Sequence, residues 1–147
     1  MNRITPIEDL VKKAIDEIQT ISTEKAAEKI DNEEYLFIDI RDIRELWREG
    51  KIQNAYHAPR GMLEFWFDPS SPYFKEKLAY GKQFILYCAS GWRSALATKT
   101  LQDMNVQNVM SYAFQNCTSL QNVEITRSTL NNYAFQNCTS LQKVEIL

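Results

Sequence analysis

Residues near the middle of the chain, Gln83-Phe84-Ile85-Leu86-Tyr87-Cys88-Ala89-Ser90-Gly91-Trp92-Arg93-Ser94, carry its strongest structural signal. The apolar and aromatic run at 84–87 predicts a buried strand that ends at Cys88. Residues 94–104 have helical character, so the cysteine is expected on a turn between a strand and a helix N-terminus. Turn amides and the helix dipole stabilise negative charge there, which makes a thiol nucleophilic. Gly91 is expected to relieve the backbone where the turn closes.

The segment Cys-Ala-Ser-Gly-Trp-Arg-Ser at 88–94 resembles the active-site loop of rhodanese-type sulfurtransferases. The resemblance implies that Cys88 carries a persulfide in mid-reaction, with no cofactor and no metal. It also implies that Arg93 and the loop amides hold negative charge, like an oxyanion hole. A related phosphatase superfamily has five residues between cysteine and arginine; this chain has four, which favours sulfur over phosphate. A purely structural buried cysteine is the alternative. The candidate substrate-binding positions in the loop are Ala89, Ser90, Gly91, Trp92 and Ser94.

A second segment supports the same resemblance. Residues 35–41, Tyr-Leu-Phe-Ile-Asp-Ile-Arg, predict a buried parallel strand. Rhodaneses have a strand ending in Asp-x-Arg, then a short helix and Gly-His-Ile-x-Gly-Ala. Asp39 and Arg41 match that pair, which in the family ties loops together near the site, so we expect them to be structural supports. Lys51 and Asn54 replace the family's histidine and second glycine, and asparagine tolerates a positive φ.

The segment after residue 55 offers further candidates. Arg60 lies in a His-Ala-Pro-Arg-Gly stretch that some rhodanese-like proteins share, which implies a place at the mouth of the loop, where it could hold an anionic donor. A solvated arginine is the equal alternative. His57 is the only histidine, and without a second ligand at suitable spacing the sequence indicates no metal site. The aromatic run at 65–67 is expected to line the pocket wall or the core.

Other periodic segments indicate alternating helices and strands. Residues 4–18 predict an amphipathic helix packed on its own domain, capped by Thr5 with Pro6 at its first position. Ser22 is expected to cap a second helix. The alternation through residue 110 implies an α/β fold with a parallel sheet and helices on both faces. The remaining predicted elements are a helix from Asp42 to Gly50, a short helix over 75–80 and a strand from Val106.

Composition restricts the class of protein. The chain has 17 basic and 19 acidic residues, a net charge of −2, so nothing indicates a nucleic-acid partner. No apolar run is long enough to cross a bilayer, and the first residues lack the apolar core of a secretion signal. Three cysteines do not indicate a disulfide framework, and a working thiol needs a reducing compartment. A cytoplasmic location without membrane contact is therefore expected.

The end of the chain departs from the rhodanese pattern. The segment Tyr-Ala-Phe-Gln-Asn-Cys-Thr-Ser-Leu-Gln occurs at 112–121 and again at 133–142, each time followed by a Val-Glu-Ile sequence. These copies resemble two leucine-rich repeats of the BspA-like type. Cys117 and Cys138 hold the same place in each copy and are expected to be small core residues; a resolving cysteine for Cys88 is the alternative.

Two repeats are fewer than the three or so that normally bury a continuous core. The tail is therefore expected to lean on the preceding domain, where it would cover the face of a rhodanese's missing last helix, or to pair with another chain as a homo-oligomer. The expected units are an N-terminal helical extension, 1–20, a rhodanese-like domain, 21–111, and two repeats, 112–147. The near identity of the copies is typical of a recent duplication, a recombinant or a designed hybrid.

Taken together, these features predict a sulfurtransferase that moves a sulfane sulfur from a small donor such as thiosulfate to a thiol or cyanide acceptor through Cys88. A different class stays open: a binding or assembly module, non-catalytic or impaired, in which the tail has replaced elements that complete the pocket.

Overall fold

The computed structural model describes residues 2–79, 81–113, 122–125 and 143–146. Within these ranges the chain alternates helices with strands, as the sequence predicts. In chain order, the elements are α1 (Ile7–Glu17), α2 (Thr23–Lys29), β1 (Tyr35–Asp39), α3 (Ile43–Glu49), β2 (Lys51–Ile52), β3 (Tyr56–His57), a 3₁₀ turn (Arg60–Met62), α4 (Leu63–Phe67), a 3₁₀ turn (Glu76–Leu78), β4 (Gln83–Cys88), α5 (Trp92–Asp103), β5 (Val109–Ala113), β6 (Asn122–Ile125) and β7 (Lys143–Ile146).

The main sheet of the described residues has four parallel strands in the order β3-β1-β4-β5. β1 and β4 occupy its centre, where Asp39 lies opposite Tyr87. β5 pairs with β4 as far as Cys88, which lies opposite Ala113. Parallel strands bring their carboxyl ends to one edge, the edge at which open α/β sheets bind ligands. Cys88 lies at this edge, and the predicted α/β fold class is confirmed.

Alternate residues of the central strands face opposite sides of the sheet, as the two-residue period of a strand requires. Phe37 and Ile85 belong to the apolar cluster on the side covered by α2. Leu36, Leu86 and Cys88 belong to the cluster on the side covered by α4 and α5. Because both sides are covered, the two strands are apolar along almost their whole length, which is why the sequence identified them.

α1 packs on α5, as expected for a helix that covers its own domain. Val11 and Ala14 are buried against Ala95. The helix does not begin as predicted: Pro6 occupies the N-cap with an extended backbone, φ −57° and ψ 141°, and no side chain caps the helix. The prediction that Thr5 caps it is wrong, because the helix starts one residue later and leaves Thr5 outside the cap.

Several other boundaries differ slightly from the prediction. Ser22 does cap α2, with its hydroxyl accepting from the Lys25 amide at 3.3 Å. The strand predicted over 35–41 ends at Asp39, and the helix predicted over 75–80 is reduced to one 3₁₀ turn.

In the aromatic run at 65–67, Phe67 is buried but Phe65 is 52% exposed, so the expectation that all three rings line the core or pocket is wrong. Consecutive residues of a helix point in different directions, so the five-residue helix α4 cannot bury all three rings.

A second, three-stranded sheet in the described residues joins the tail to the domain, in the order β2-β6-β7. β6 runs antiparallel to β2, with Ile52 opposite Val123. β6 and β7 are parallel, and Val123 lies opposite Val144, the same residue of the second copy. The two Val-Glu-Ile segments thus stack in register. Cys117, Cys138 and the predicted turns between the strands lie outside the described residues.

Candidate active site

Cys88 ends β4, and three residues connect it to α5. Gly91, the N-cap of α5, has φ 91°, a left-handed conformation that glycine adopts without strain. This turn reverses the chain sharply enough to bring the first amides of α5 back over the end of β4. The helix therefore begins at Trp92, two residues before the predicted start.

Two amides converge on the Cys88 sulfur. The backbone N–H of Gly91 donates to Sγ at 3.2 Å and that of Ser94 at 3.3 Å. Within the described residues, the other loop amides, those of Ala89, Ser90, Trp92 and Arg93, donate to no acceptor. Donors of this kind at a helix N-terminus form a site for negative charge. The loop can therefore stabilise a thiolate through two amides and has further donors for an anion bound above it.

A pair of buried serines extends this network. Ser94 Oγ lies 3.5 Å from Cys88 Sγ, and the Ser111 hydroxyl donates to Ser94 Oγ at 2.8 Å. Ser94 Oγ is also 3.3 Å from the carbonyl oxygens of Gly91 and Tyr112, either of which can accept its single proton. Ser94 is thus held between the loop and β5. Ser111 was missed by the sequence analysis, although a serine inside an otherwise apolar strand was a usable signal.

The sulfur is covered in this structure. Cys88 has no exposed surface, whereas Ser90 and Trp92 above it are exposed, Trp92 by 44%. The cysteine is therefore both a member of the core cluster under α5 and the acceptor of two loop amides. Because Cys88 Sγ is covered, the loop has to move before a reagent can attack it.

Arg93 is bound to a carboxylate on the neighbouring helix. Its Nη1 and Nη2 donate to the two carboxylate oxygens of Glu45 in α3, at 2.8 and 2.9 Å. The hydrogen bond from Arg93 lowers the pKa of Glu45, and the same bond raises the pKa of Arg93. Both groups are therefore charged, and the guanidinium that the sequence analysis expected to face an anion is oriented by Glu45. Sequence reasoning missed Glu45, which is remote in the chain.

Asp39 and Arg41 form a buried network beside the site. Arg41 Nε and Nη2 donate to the Asp39 carboxylate at 3.0 and 2.8 Å, Nη1 donates to Glu49 at 3.0 Å, and Nη2 also donates to the Gly50 carbonyl. Burial opposes the charge on Arg41, but the attraction of Asp39 outweighs it and the pKa of Arg41 is raised. The network ties the end of β1 to the end of α3, which fits the supporting part expected for this pair.

Tyr87 connects that network to β2. Its hydroxyl accepts from the Ile52 amide at 3.1 Å and forms a hydrogen bond with Asp39. Burial raises the pKa of Tyr87 well above its usual range, and the nearby Asp39 charge acts in the same direction. His57 Nε2 lies 2.7 Å from the Arg41 carbonyl oxygen, which can only accept, so Nε2 carries a proton and is a donor.

Arg60 is not brought to the loop. Its guanidinium contacts Glu64 at 2.5 Å and lies 3.5 Å from Thr100 Oγ1. Thr100 is eight residues along α5 from Trp92, about 12 Å at the usual helical rise. The structure therefore places the Arg60 guanidinium against the C-terminal half of α5, where Glu64 compensates its charge, and not at the mouth of the site.

Two absences hold for the described residues. They contain no group of three metal-ligating side chains close enough to hold an ion. None of their helices combines the length and hydropathy that crossing a bilayer requires.

Comparison with known proteins identifies both parts of the chain. The profile of the rhodanese-like domain matches residues 22–113. The chain belongs to the rhodanese-like domain family. The profile of the BspA type leucine rich repeat region matches residues 92–147. Both predicted resemblances are confirmed, although the repeat profile begins within the rhodanese-like domain, at the first residue of α5, and not at residue 112.

Named relatives of this rhodanese-like domain include sulfurtransferases. The Bacillus subtilis protein named "Putative sulfurtransferase YtwF" is 34% identical over 94 residues, 63% of this chain and 82% of the relative. The solved polysulfide-sulfur transferase homodimer of Wolinella succinogenes is 27% identical, with a TM-score of 0.56, covering 71% of this chain and 74% of that one. At the level of the family, these relatives support a sulfurtransferase-type enzyme.

Another solved structure resembles the chain more strongly but has a different description. RPA3614 from Rhodopseudomonas palustris, a "Protein of Unknown Function" and "Possible Tyrosine Phosphatase", is 40% identical with a TM-score of 0.72, covering 77% of this chain and 87% of that one. The rhodanese-like fold of the chain is therefore well supported, while the names of its relatives include two reaction types.

Proposed function

We propose that this rhodanese-like domain is a sulfurtransferase in which Cys88 carries the transferred sulfur. The observation that carries the proposal is the convergence of the Gly91 and Ser94 amides on Cys88 Sγ. These donors stabilise the thiolate that must attack the donor. The same amides then stabilise the negative charge of the persulfide that forms. Family membership and the sulfurtransferase relatives support the same reaction class.

The first half-reaction loads the enzyme. The Cys88 thiolate attacks the outer sulfur of a donor such as thiosulfate; the new S–S bond forms as the sulfur–sulfur bond of the donor breaks, and sulfite leaves with its electron pair. The product is Cys88–S–S⁻, whose terminal sulfur lies toward the remaining loop amides. Arg93 and the amides of Ala89, Ser90 and Trp92 are proposed to bind the anionic part of the donor.

The second half-reaction unloads it. A thiolate acceptor attacks the terminal sulfur of protonated Cys88–S–SH, the new persulfide leaves, and the Cys88 thiolate is regenerated with the electron pair of the broken bond. With cyanide as acceptor, thiocyanate and the Cys88 thiol are formed. Both steps use sulfur exchange alone, so neither requires a metal or an external redox cofactor.

The experiment separates Cys88 from the other thiols of the chain. The protein is incubated with thiosulfate and its mass is measured intact, then cyanide is added and thiocyanate is assayed. We expect a mass increase of one sulfur atom and thiocyanate from the parent and from a Cys117→Ser/Cys138→Ser control, and neither from Cys88→Ser. Equal thiocyanate from Cys88→Ser would show that another thiol or no thiol carries the sulfur.

A phosphatase is the second candidate, because the 40% identical RPA3614 is described as a possible tyrosine phosphatase. Four residues separate Cys88 from Arg93, one fewer than the phosphatase superfamily has, which gives a narrower ring of amides. Aryl phosphate is therefore expected to be a poor substrate. Its turnover by the parent, lost in Cys88→Ser while no sulfur is loaded, would favour the phosphatase instead.

A further inference from the structure

The side chain of Glu45 is held in place from two directions. Its carboxylate accepts two hydrogen bonds from Arg93, at 2.8 and 2.9 Å, and one from the Asp42 amide at 3.0 Å. The last bond belongs to the capping box of α3, so the carboxylate is fixed to the start of that helix. Glu45 is only 17% exposed in its side chain, whereas that of Arg93 is 42% exposed. The guanidinium is therefore oriented by a more rigid partner.

This pairing removes the surplus positive charge from the loop. Arg93 is the cation of the loop itself, and Glu45 neutralises it at contact distance. The next guanidinium, that of Arg41, is shared between Asp39 and Glu49 and so carries two carboxylates of its own. What remains at the loop is the set of backbone amides, which solvate one negative charge without adding a net positive one. A dianion there lacks a matching countercharge.

The mouth of the loop also offers an apolar surface. Trp92 is 44% exposed at the first position of α5, directly after Gly91. The face of an indole can contact the carbon chain of an organic donor, whereas a small, fully charged inorganic anion gains at most one hydrogen bond from the indole N–H. Charge and shape therefore point in the same direction.

We propose that Glu45 sets the donor preference of the site: by neutralising Arg93, it favours persulfides of small organic thiols over dianionic thiosulfate. This rests on the proposed sulfurtransferase function. In the favoured step the Cys88 thiolate attacks the outer sulfur of R–S–SH; Cys88–S–SH forms, the donor S–S bond breaks, and R–S⁻ leaves and is protonated by solvent. Glu45 acts through Arg93 and is a positioning residue.

The test compares two donors and two charge-matched variants. Glu45→Gln removes the charge while its amide oxygen can still accept from the Asp42 amide, and Glu64→Gln removes the same charge beside Arg60, far from the loop. Loading of Cys88 is followed by intact mass as a function of donor concentration, with thiosulfate and with free cysteine persulfide. The readout is the ratio of the two kcat/KM values, together with the KM for thiosulfate.

We expect the parent to load faster from cysteine persulfide. Glu45→Gln should raise the ratio of kcat/KM for thiosulfate to kcat/KM for the persulfide about fivefold, mainly through a lower KM for thiosulfate. The reason is that the uncompensated positive charge of Arg93 attracts a dianion more strongly than it attracts a donor of lower charge. The rise should shrink at high salt. Glu64→Gln and the charge-conserving Glu45→Asp should keep the parental ratio.

Two results would overturn the inference, and they differ in meaning. Loading by both donors, with a ratio that Glu45→Gln leaves unchanged or that favours thiosulfate in the parent, refutes only the part assigned to Glu45. A lower melting temperature in Glu45→Gln with an unchanged donor ratio also refutes that part, because Glu45 would then only stabilise the start of α3 through its capping box. Loading by neither donor in any variant refutes the sulfurtransferase function itself.

Discussion

Replacing Arg41 by methionine tests whether the buried network beside the loop holds this domain together. The Arg41 side chain is fully buried and binds Asp39, Glu49 and the Gly50 carbonyl. Methionine fills a similar volume but leaves the Asp39 carboxylate with only the residue-41 amide, at 3.0 Å, and the hydrogen bond from Tyr87. The variant therefore buries an unpaired charge without creating a large cavity.

The expected cost follows from the kind of interaction that is lost. Breaking a buried ion pair by removing one partner typically costs about 3–5 kcal/mol, because the remaining charge stays desolvated. A chain of this size loses about 2–4 °C of melting temperature per kcal/mol, so Arg41→Met should melt roughly 6–20 °C lower. This loss of stability is larger than substitutions of exposed residues usually cause, so the prediction depends on the burial of Arg41.

A matched control is present three residues further along the chain. Arg44 pairs with Asp42 at 2.8 Å with the same sequence spacing, but its side chain is 75% exposed. Arg44→Met should leave the urea midpoint almost unchanged, since exposed pairs contribute little. Unfolding followed by circular dichroism in urea, with equal slopes for all variants, measures both. If Arg41→Met unfolds within about 1 kcal/mol of the parent, the reasoning about this network fails.

Two further predictions concern single residues at helix and turn positions. Hydrogen bonds from the Arg44 side chain and amide lower the pKa of Asp42 to about 2 from 3.8, so the stabilisation from the charged Asp42 carboxylate, which is small because the carboxylate is exposed, is present above pH 3.8 and is lost as the pH falls through about 2; the small difference in urea midpoint between Asp42→Asn and the parent should narrow over that range, and a constant difference would contradict this. Asn54 has φ 64°, so Asn54→Ala should cost about 1 kcal/mol while Asn54→Gly is tolerated; thermal melts in which alanine is the more stable replacement would contradict the expectation.

Local features of the catalytic loop could be predicted from the sequence because each depends on neighbouring residues. The apolar run before Cys88 identified β4, and Gly91 was expected to relieve the turn, where it has φ 91°. Asn54 was likewise expected to accept a positive φ. The amides that contact Sγ follow from strand, turn and helix in succession, so they were predictable as a class even though Ser94 and Gly91 were not singled out as the two donors.

Contacts between distant parts of the chain were not predictable in this way. Arg93 binds Glu45, which is 48 residues away, and Ser111 in β5 contacts Ser94 in α5. Each of these pairings depends on how helices and strands are arranged across the sheet, and the spacing of apolar residues along the chain does not predict that arrangement. Arg60 shows the same limit, because a shared sequence stretch predicted its neighbourhood, whereas Glu64 and Thr100 determine where its guanidinium lies.

The tail illustrates how local and distant signals combine. Identical copies predicted identical strands, and β6 and β7 do pair in register, so each copy adds one strand as in a solenoid. Two copies alone bury too little to be stable. The antiparallel pairing of β6 with β2 gives the two repeats a neighbouring strand from the rhodanese-like domain, in the place where a longer array would have another repeat. β2 immediately follows α3, which also carries Glu45, so the segment that anchors the repeats is continuous with the one that orients Arg93. We therefore expect the folding of the repeats to depend on the rhodanese-like domain, and changes in the tail to be transmitted to the site most directly through α3.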